Sequence, residues 1–271
     1  MKKMIIGNRE LDLEHKTYVM GILNVTPDSF SDGGKYSELD TALYHAQQMI
    51  EDGAAIIDVG GESTRPGYTM ISDDEEIMRT TPVIEAIRNR FDIPISIDTY
   101  KSKVAKAAAD AGADLINDIW GLKYDSNMAS VIQQTGLACC LMHNRKDSDY
   151  SDFISDLKTD LEETIAIAKK AGIADDKIML DPGVGFAKSY ENNLEAIRRV
   201  GELQELGYPI LLGTSRKSVI GLTLNVPASE RVIGTVATTV MGVMGGCNFV
   251  RVHDVKANVE AILMTEAILY R

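Results

Sequence analysis

The chain alternates short apolar runs with longer segments in which apolar residues recur at helical spacing. A short apolar run bounded by turn residues indicates a buried strand, and a period of three to four residues indicates an amphipathic helix. The pattern predicts strands near residues 18–23, 54–59, 94–98, 113–117, 137–142, 177–181, 209–213 and 248–252. It predicts helices near residues 38–52, 74–90, 101–111, 125–135, 153–171, 190–206, 216–242 and 255–270.

This alternation predicts an α/β fold, specifically a single-domain (β/α)8 TIM barrel that spans residues 1–271, because no linker interrupts the chain. Residues 1–13 surround a Gly-Asn turn and predict a short N-terminal hairpin. Gly53 and Gly112 follow helical runs and suit the left-handed position that ends a helix. An open doubly wound sheet is the alternative, and it is disfavoured because no strand leads into a Gly-x-Gly-x-x-Gly loop.

Composition narrows the function. The formal net charge of −12 argues against nonspecific nucleic-acid binding, which needs an extended basic surface. The uncharged run 232–250 is long enough for a membrane span, but its Thr, Gly and Asn residues favour a buried helix followed by a strand. Cys139, Cys140 and Cys247 have neither a disulfide nor a zinc spacing, and the N-terminus has no signal-peptide pattern. These features predict a cytoplasmic protein with reduced thiols.

Two loops rich in turn formers follow the first two predicted barrel strands. Residues 24–34 read NVTPDSFSDGG, and residues 58–67 read DVGGESTRPG. In each, apolar character stops abruptly at the carboxyl end of a strand, which is where α/β barrels carry their chemistry. The two loops are therefore predicted to cover one pocket together.

Polar or sulfur-bearing residues also end nearly all of the remaining predicted strands. A single such residue is more often structural than functional, but strand ends converge in a barrel, so the whole set predicts one pocket. The set comprises Asn24, Asp58, Asp98, Asn117, Met142 with His143, Asp181, Ser215 to Ser218, and Arg251 with His253.

Together with SIDT at 96–99, NDI at 117–119, DPGVGFAK at 181–188, GTSRKS at 213–218 and VRVHDV at 250–255, the two loops resemble the dihydropteroate synthase family. The resemblance covers essentially the whole chain. It implies a (β/α)8 barrel that joins 4-aminobenzoate to (7,8-dihydropterin-6-yl)methyl diphosphate and releases diphosphate. It also implies Mg²⁺ as cofactor, a homodimer, and sulfonamides as competitors of 4-aminobenzoate.

The resemblance also implies roles for individual residues. Asn24 is expected to bind Mg²⁺, and Thr64, Arg251 and His253 are expected to bind the diphosphate. Val252 is expected to be a substrate-binding residue. A carboxylate can accept two parallel N–H groups from the pterin edge, which suits Asp181. Asn117 suits an edge of mixed donors and acceptors, Lys217 suits the ring carbonyl or N5, Met142 a flat ring, and Asp98 the reacting side of the pterin.

The 4-aminobenzoate is expected to lie between Phe30 and Pro66 on one side and Lys217 and Ser218 on the other. Ser63 and Arg65 flank Thr64 and are expected to help cover the site. Asp98, Asp181 and Lys217 are the expected catalytic residues of a dissociative substitution. Two alternatives stay open on sequence alone: a pterin-binding methyltransferase, which has no diphosphate to bind, and a noncatalytic pterin-binding protein.

Overall fold

The structure is a computed structural model, and it describes residues 3–26, 38–62 and 70–270. The predicted N-terminal hairpin is confirmed. It pairs β1 (Lys3–Ile6) with β2 (Arg9–Asp12) in antiparallel fashion around Gly7, whose φ is +61°. Its buried side chains Met4, Ile6, Leu11 and Leu13 pack on apolar residues of the barrel strands, including Met20, Leu115 and Phe249. The hairpin thereby closes the amino-terminal end of the barrel.

Eight parallel strands form the barrel, as predicted. They are β3 (Tyr18–Asn24), β4 (Ile56–Gly60), β5 (Ile95–Asp98), β6 (Leu115–Asp118), β7 (Ala138–Met142), β8 (Ile178–Asp181), β9 (Leu211–Leu212) and β10 (Phe249–Val252). Strands β3 to β8 pair in chain order, and β10 lies between β3 and β9. A parallel bridge between Leu180 and Ile210 joins β8 to the segment that leads into β9, which closes the ring.

Helices cover the strands on the outside. They are α1 (Glu38–Glu51), α2 (Asp73–Arg90), α3 (Ser102–Asp110), α4 (Met128–Thr135), α5 (Phe153–Ala171), α6 (Tyr190–Arg198), α7 (Ser218–Leu224), α8 (Val232–Met244) and α9 (Val255–Tyr270). Gly53 and Gly112 have φ of +100° and +107°, as expected for residues that follow helices. None of the helices within the described ranges is long and apolar enough to cross a membrane.

Two predicted helices were too long. The predicted helix 190–206 ends as an α-helix at Arg198 and continues as a 3-10 helix over Val200–Leu206. The predicted helix 216–242 is two helices, α7 and α8. Asn225 ends α7 with a left-handed φ of +54°, and Pro227 follows it, so both residues oppose continuation of the helix.

Inward-facing residues change character along the strands. Near the hairpin they are apolar and fully buried: Met20, Ile56, Leu115, Cys140, Met179, Leu211 and Phe249 belong to one cluster. Successive residues of a strand alternate between faces, so the residues two positions further on share the inward face. Those positions are Ile22, Asp58, Asn117, Met142, Asp181, Gly213 and Arg251. The chain thus fills one end of the barrel with apolar side chains and the other mainly with polar ones.

Candidate active site

Arg251 lies between two carboxylates at the carboxyl end of the barrel. Its Nε donates to Asp58 Oδ2 at 2.6 Å, and its Nη2 donates to Asp98 Oδ2 at 2.6 Å. Asp58 is fully buried and Asp98 is 6% exposed. Burial raises the pKa of Asp98 to about 7, although the Arg251 charge acts in the opposite direction. Burial alone would lower the pKa of Arg251, but the two carboxylates hold it above its ordinary value.

Asn117 lies next to the Asp58 carboxylate. Its Nδ2 lies 3.4 Å from Asp58 Oδ2, a long hydrogen bond that turns the amide oxygen away from Asp58. Sequence reasoning noted Asp58 only as a polar strand end and gave it no role. Its position two residues after the buried Ile56 was the available signal, but only the structure pairs it with Arg251 and Asn117.

Asp181 is the last residue of β8. One of its carboxylate oxygens accepts a hydrogen bond from the backbone, and the other faces the pocket. Its Oδ1 accepts from the backbone N–H of Gly183 at 2.7 Å. Gly183 has φ of +68°, and a Cβ there would lie 2.0 Å from the carbonyl oxygen of His143, so only glycine fits this turn. Burial raises the pKa of Asp181, and the positive charge of Lys217 opposes that rise.

Lys217 reaches the same region from the loop before α7. Its Nζ donates to the carbonyl oxygen of Val184 and lies 4.9 Å from the centre of the Phe186 ring. A Cβ built on Gly213 would lie 3.4 Å from Asp181 Oδ2, 3.8 Å from Lys217 Nζ and 4.0 Å from Arg251 Cβ. These groups therefore surround Gly213. Burial lowers the pKa of Lys217 to about 8.

The predicted site residues after β9 and at the end of β10 lie at the same end of the barrel. Ser215 Oγ accepts from the backbone N–H of His253 at 3.1 Å and lies 3.0 Å from His253 Nδ1, which fixes the imidazole. Ser218 is exposed at the first position of α7. The Val252 side chain packs in the apolar layer between strands and helices, so only its backbone remains available to a ligand.

Met142 ends β7 in a small apolar cluster with Tyr100 and Ile119, flanked by Trp120 and Phe186. The adjacent His143 is buried, and its Nε2 lies 2.8 Å from Asp160 Oδ2, while its Nδ1 lies 2.8 Å from Lys188 Nζ. Burial lowers the pKa of His143 to about 4, so the ring is neutral near pH 7. Both ring nitrogens have protein partners, which indicates that His143 supports the 182–188 loop.

Asn24, the last residue of β3, meets Asp98 across Gly60. A Cβ built on Gly60 would lie 3.5 Å from Asn24 Oδ1 and 3.7 Å from Asp98 Oδ2. Within the described ranges no group of three His, Cys, Asp or Glu side chains forms a metal site. A lone amide oxygen beside a carboxylate fits Mg²⁺, which prefers oxygen and takes most of its ligands from water and substrate phosphate.

Five predicted site residues fall outside the described ranges, and their predicted roles rest on sequence alone. They are Phe30, Ser63, Thr64, Arg65 and Pro66.

Carboxylates, an amide and cations gather at the carboxyl ends of the barrel strands. This arrangement is that of a barrel enzyme with one polar pocket at the carboxyl ends of its strands. The chain belongs to the pterin binding enzyme family, which matches residues 20–253. It is 58% identical over 269 residues to a dihydropteroate synthase of Clostridium beijerinckii, an alignment that covers 99% of this chain and 100% of that protein.

Two solved dihydropteroate synthases superpose closely on this chain. That of Clostridium difficile, determined in the presence of pteroic acid, has a TM-score of 0.92 and 52% identity, with 94% of this chain and 98% of that chain covered. That of Xanthomonas albilineans, determined with 4-aminobenzoic acid, has a TM-score of 0.95 and 39% identity, with 100% and 99% covered. Within the pterin binding enzymes the chain is therefore a dihydropteroate synthase, a transferase of the dihydropterin-methyl group in folate biosynthesis.

Proposed function

We propose that the pocket has a pterin end formed by Asn117, Asp181 and Lys217, and a diphosphate end formed by Arg251 and His253. The observation that carries the proposal of one pocket with two adjoining ends is the convergence of Asp181 Oδ2, Lys217 and Arg251 around Gly213. A substituent at residue 213 would occupy the space between them. Glycine therefore leaves room for a flat ring flanked by an acceptor and two cations.

Recognition of the pterin rests on acceptors facing its N–H groups. Asp181 Oδ2 accepts from the amino-pyrimidine edge, because Oδ1 is already held by Gly183. Asn117 presents its amide oxygen, because its Nδ2 is turned toward Asp58. Lys217 donates to the ring carbonyl or N5, and Met142 packs against the ring face.

The reaction is a dissociative substitution at the exocyclic methylene of the pterin. The carbon–oxygen bond to diphosphate breaks, and the bonding electrons leave with the diphosphate, whose charge Arg251 and His253 neutralise. The dihydropterin ring delocalises the resulting cation, and Asp98 and Asp181 supply fixed negative charge beside it. The arylamine nitrogen then forms the new carbon–nitrogen bond and loses a proton, which completes 7,8-dihydropteroate.

The 4-aminobenzoate subsite joins described residues to the two sequence loops. Lys217 and Ser218 form one side of it, at the beginning of α7. Phe30, Pro66, Ser63 and Arg65 form the other side, and Thr64 donates its hydroxyl to the diphosphate. Sulfonamides compete for this subsite because they share the arylamine shape. The binding of 4-aminobenzoic acid by the Xanthomonas albilineans relative supports the small-molecule assignment.

Asn24 Oδ1, which lies near Asp98 at Gly60, would hold Mg²⁺. When bound, it supplies positive charge to the diphosphate oxygens. Asn24 serves this purpose as a neutral oxygen ligand that adds no negative charge next to an anionic leaving group. Asp98, which accepts a hydrogen bond from Arg251, would offer a carboxylate oxygen to a water of the hydrated ion.

The Asn24→Ala variant is expected to need at least ten times more Mg²⁺ for half-maximal diphosphate release, because it lacks the amide oxygen. Diphosphate release by the wild-type enzyme, measured by a coupled phosphate assay in the presence of 4-aminobenzoate, should depend on Mg²⁺. Binding of 6-hydroxymethylpterin, which carries no diphosphate, should be unchanged in the variant. An equal loss of both properties would identify Asn24 as a residue of the fold.

The pH dependence of kcat/KM is expected to form a narrow bell. Asp98, with a pKa of about 7, must be ionised to stabilise the cation, so activity rises with pH up to that value. Lys217, with a pKa of about 8, donates best when charged, so activity falls above that value. Lys217→Arg keeps the charge and should move only the alkaline limb upward. An unmoved alkaline limb would contradict the assignment to Lys217.

We also propose that the chain is one domain and forms a cytoplasmic homodimer. The helices α7, α8 and α9 expose apolar side chains that single subunits usually bury: Leu222, Ile233, Met244, Leu263, Met264 and Ile268 are each more than 60% exposed. A second copy of the same face would cover this surface. Reduced Cys139, Cys140 and Cys247, all buried, are consistent with a reducing compartment.

A further inference from the structure

A second buried cluster of charged groups lies next to the site but outside it, and we call it the Lys101 cluster. It consists of Glu62 after β4, Glu76 on α2, and Tyr100 and Lys101 after β5. These four residues are 5%, 1%, 2% and 6% exposed. None of them has a role in the mechanism proposed above.

Every proton of the Lys101 ammonium has a partner. Nζ donates to Glu62 Oε2 at 2.7 Å, to Glu76 Oε2 at 2.8 Å and to the carbonyl oxygen of Ile71 at 2.8 Å. Glu62 also accepts from the Tyr100 hydroxyl at 2.5 Å and from the backbone N–H of Ile71 at 2.9 Å. The Ile71 amide and carbonyl are therefore both tied to the same ion pair.

Electrostatics keeps the cluster charged. Burial opposes ionisation, but hydrogen bonds from Lys101 and Tyr100 hold the pKa of Glu62 below its usual range. Burial would likewise lower the pKa of Lys101, and its two carboxylate partners raise it instead. For Glu76 the deeper burial dominates and raises the pKa. The lysine is thus cationic at neutral pH and bonded to at least one carboxylate.

Stability alone is a weak reason for such a cluster. Removing charges from water is costly, and an apolar cluster of similar volume often stabilises a fold equally well. What an ion pair adds is a fixed geometry between the segments that carry it. Here the ion pair joins Glu62 and Ile71, the two residues that flank 63–70 in the chain, to Lys101, which lies three residues after Asp98 and immediately before α3.

The chain after β4 is also held against α2 by contacts that do not involve Lys101. Arg79 Nη1 on α2 donates to the carbonyl oxygen of Gly61 at 3.0 Å. A Cβ on Gly61 would lie 2.7 Å from Thr80 Cγ2 and 3.1 Å from Glu76 Cγ, so glycine permits the chain to pass close over α2. This approach brings the Glu62 carboxylate within reach of Lys101.

We propose that Lys101 is a positioning residue for the diphosphate and 4-aminobenzoate half of the reaction. It bonds Glu62 and Ile71, the described residues on either side of 63–70 in the chain, and so ties them to the residues that follow Asp98, and it does not touch the substrate. The inference rests on the proposed role of that segment. Its consequence is a selective one: loss of the ammonium weakens the use of 4-aminobenzoate and leaves the pterin end of the pocket intact.

The test compares Lys101→Met with Lys103→Met. Lys103 is the matched control, because it lies two residues away, its side chain is 76% exposed, and its Nζ lies 3.7 Å from Oδ2 of the half-buried Asp73. In Lys101→Met the KM for 4-aminobenzoate is expected to rise at least tenfold. The Kd of 6-hydroxymethylpterin, measured by calorimetry, should stay within about twofold of wild type. Lys103→Met should match wild type in both.

A variant without charged groups in the Lys101 cluster separates the effect of Lys101 on the neighbouring chain segments from its effect on the stability of the fold. Lys101→Met leaves two buried carboxylates unpaired, so it is paired with the triple variant Glu62→Gln, Glu76→Gln and Lys101→Met. The triple variant should recover melting temperature relative to Lys101→Met but keep the raised KM. Recovery of KM together with melting temperature would overturn the proposal, as would a parallel loss of pterin binding.

A third variant, Thr64→Val, distinguishes failure of this inference from failure of the proposed site. A raised KM for the diphosphate substrate in Thr64→Val, with wild-type kinetics in the Lys101 variants, would leave the site standing and refute the role of Lys101. Wild-type kinetics in both would refute the role of the whole segment, and with it the positioning role of Lys101.

Discussion

Replacing Arg251 with methionine is expected to destabilise the fold by about 3–5 kcal/mol, because it leaves Asp58 and Asp98 buried without their cation. For a chain of this size the loss corresponds to a fall in melting temperature on the order of 10 °C. Thermal unfolding followed by circular dichroism measures it. Activity should be lost as well, since the variant lacks the Arg251 guanidinium at the diphosphate end of the pocket.

The effect should depend on pH in a defined direction. The folded-state pKa of Asp98 is already about 7, and without Arg251 it should rise further. A carboxyl group with a raised folded-state pKa binds its proton more tightly in the folded state, so stability falls as pH rises from about 4 toward that pKa. The deficit of Arg251→Met should therefore be larger at pH 8 than at pH 5. A deficit that grows toward low pH would contradict this account.

Arg199→Met is the matched control. Arg199 also bonds two carboxylates, Glu195 at 2.8 Å and Glu202 at 2.6 Å, but it does so at the surface, with 36% of its side chain exposed. Exposed ion pairs contribute about 0–1 kcal/mol. Similar losses in the two variants would show that the burial of Asp58 and Asp98 is not what makes Arg251 important.

Asp181→Asn is expected to weaken pterin binding by roughly 2–4 kcal/mol, or about 30- to 1000-fold in Kd. The substitution replaces a charged acceptor by an amide, and either its donor faces a ring N–H or the bond to the Gly183 N–H is lost. Calorimetry with 6-hydroxymethylpterin measures the change, and unaltered affinity would remove Asp181 from the site.

Asp114→Asn serves as the control for that prediction. Asp114 is also a carboxylate that accepts a backbone N–H, from Ile95 at 2.9 Å, and it pairs with Arg88. It lies before β6, at the opposite end of the barrel from the pocket. We expect Asp114→Asn to lower the melting temperature and to leave the Kd for the pterin unchanged.

The pattern of the sequence was sufficient for the architecture. Eight apolar runs separated by helical segments predicted the barrel, because a parallel strand covered on both faces must be apolar along most of its length. The positions of the polar strand ends followed from the same pattern. Helix ends were less certain where propensity and turn chemistry compete, as at Asn225 and Pro227, where one predicted helix proved to be two.

The sequence could not predict which charged residues of the pocket form ion pairs with one another. Nothing along the chain says that Arg251 bonds Asp58 and Asp98, since these residues are separated by 193 and 153 positions. The same holds for His143, which pattern alone placed among the pocket residues and which the structure shows bonded to Asp160 and Lys188.

The sequence by itself determined the order of strands and helices, the apolar and polar ends of the barrel and the family motifs, because hydrophobic periodicity and turn chemistry are local properties of the chain. Only the tertiary structure decided which charges neutralise one another and which oxygen of Asp181 faces the pocket. It also revealed that Lys101 ties residues 62 and 71 together. Such choices depend on distances between strands that meet only when the barrel closes, and burial then gives each of these pairings its energetic weight.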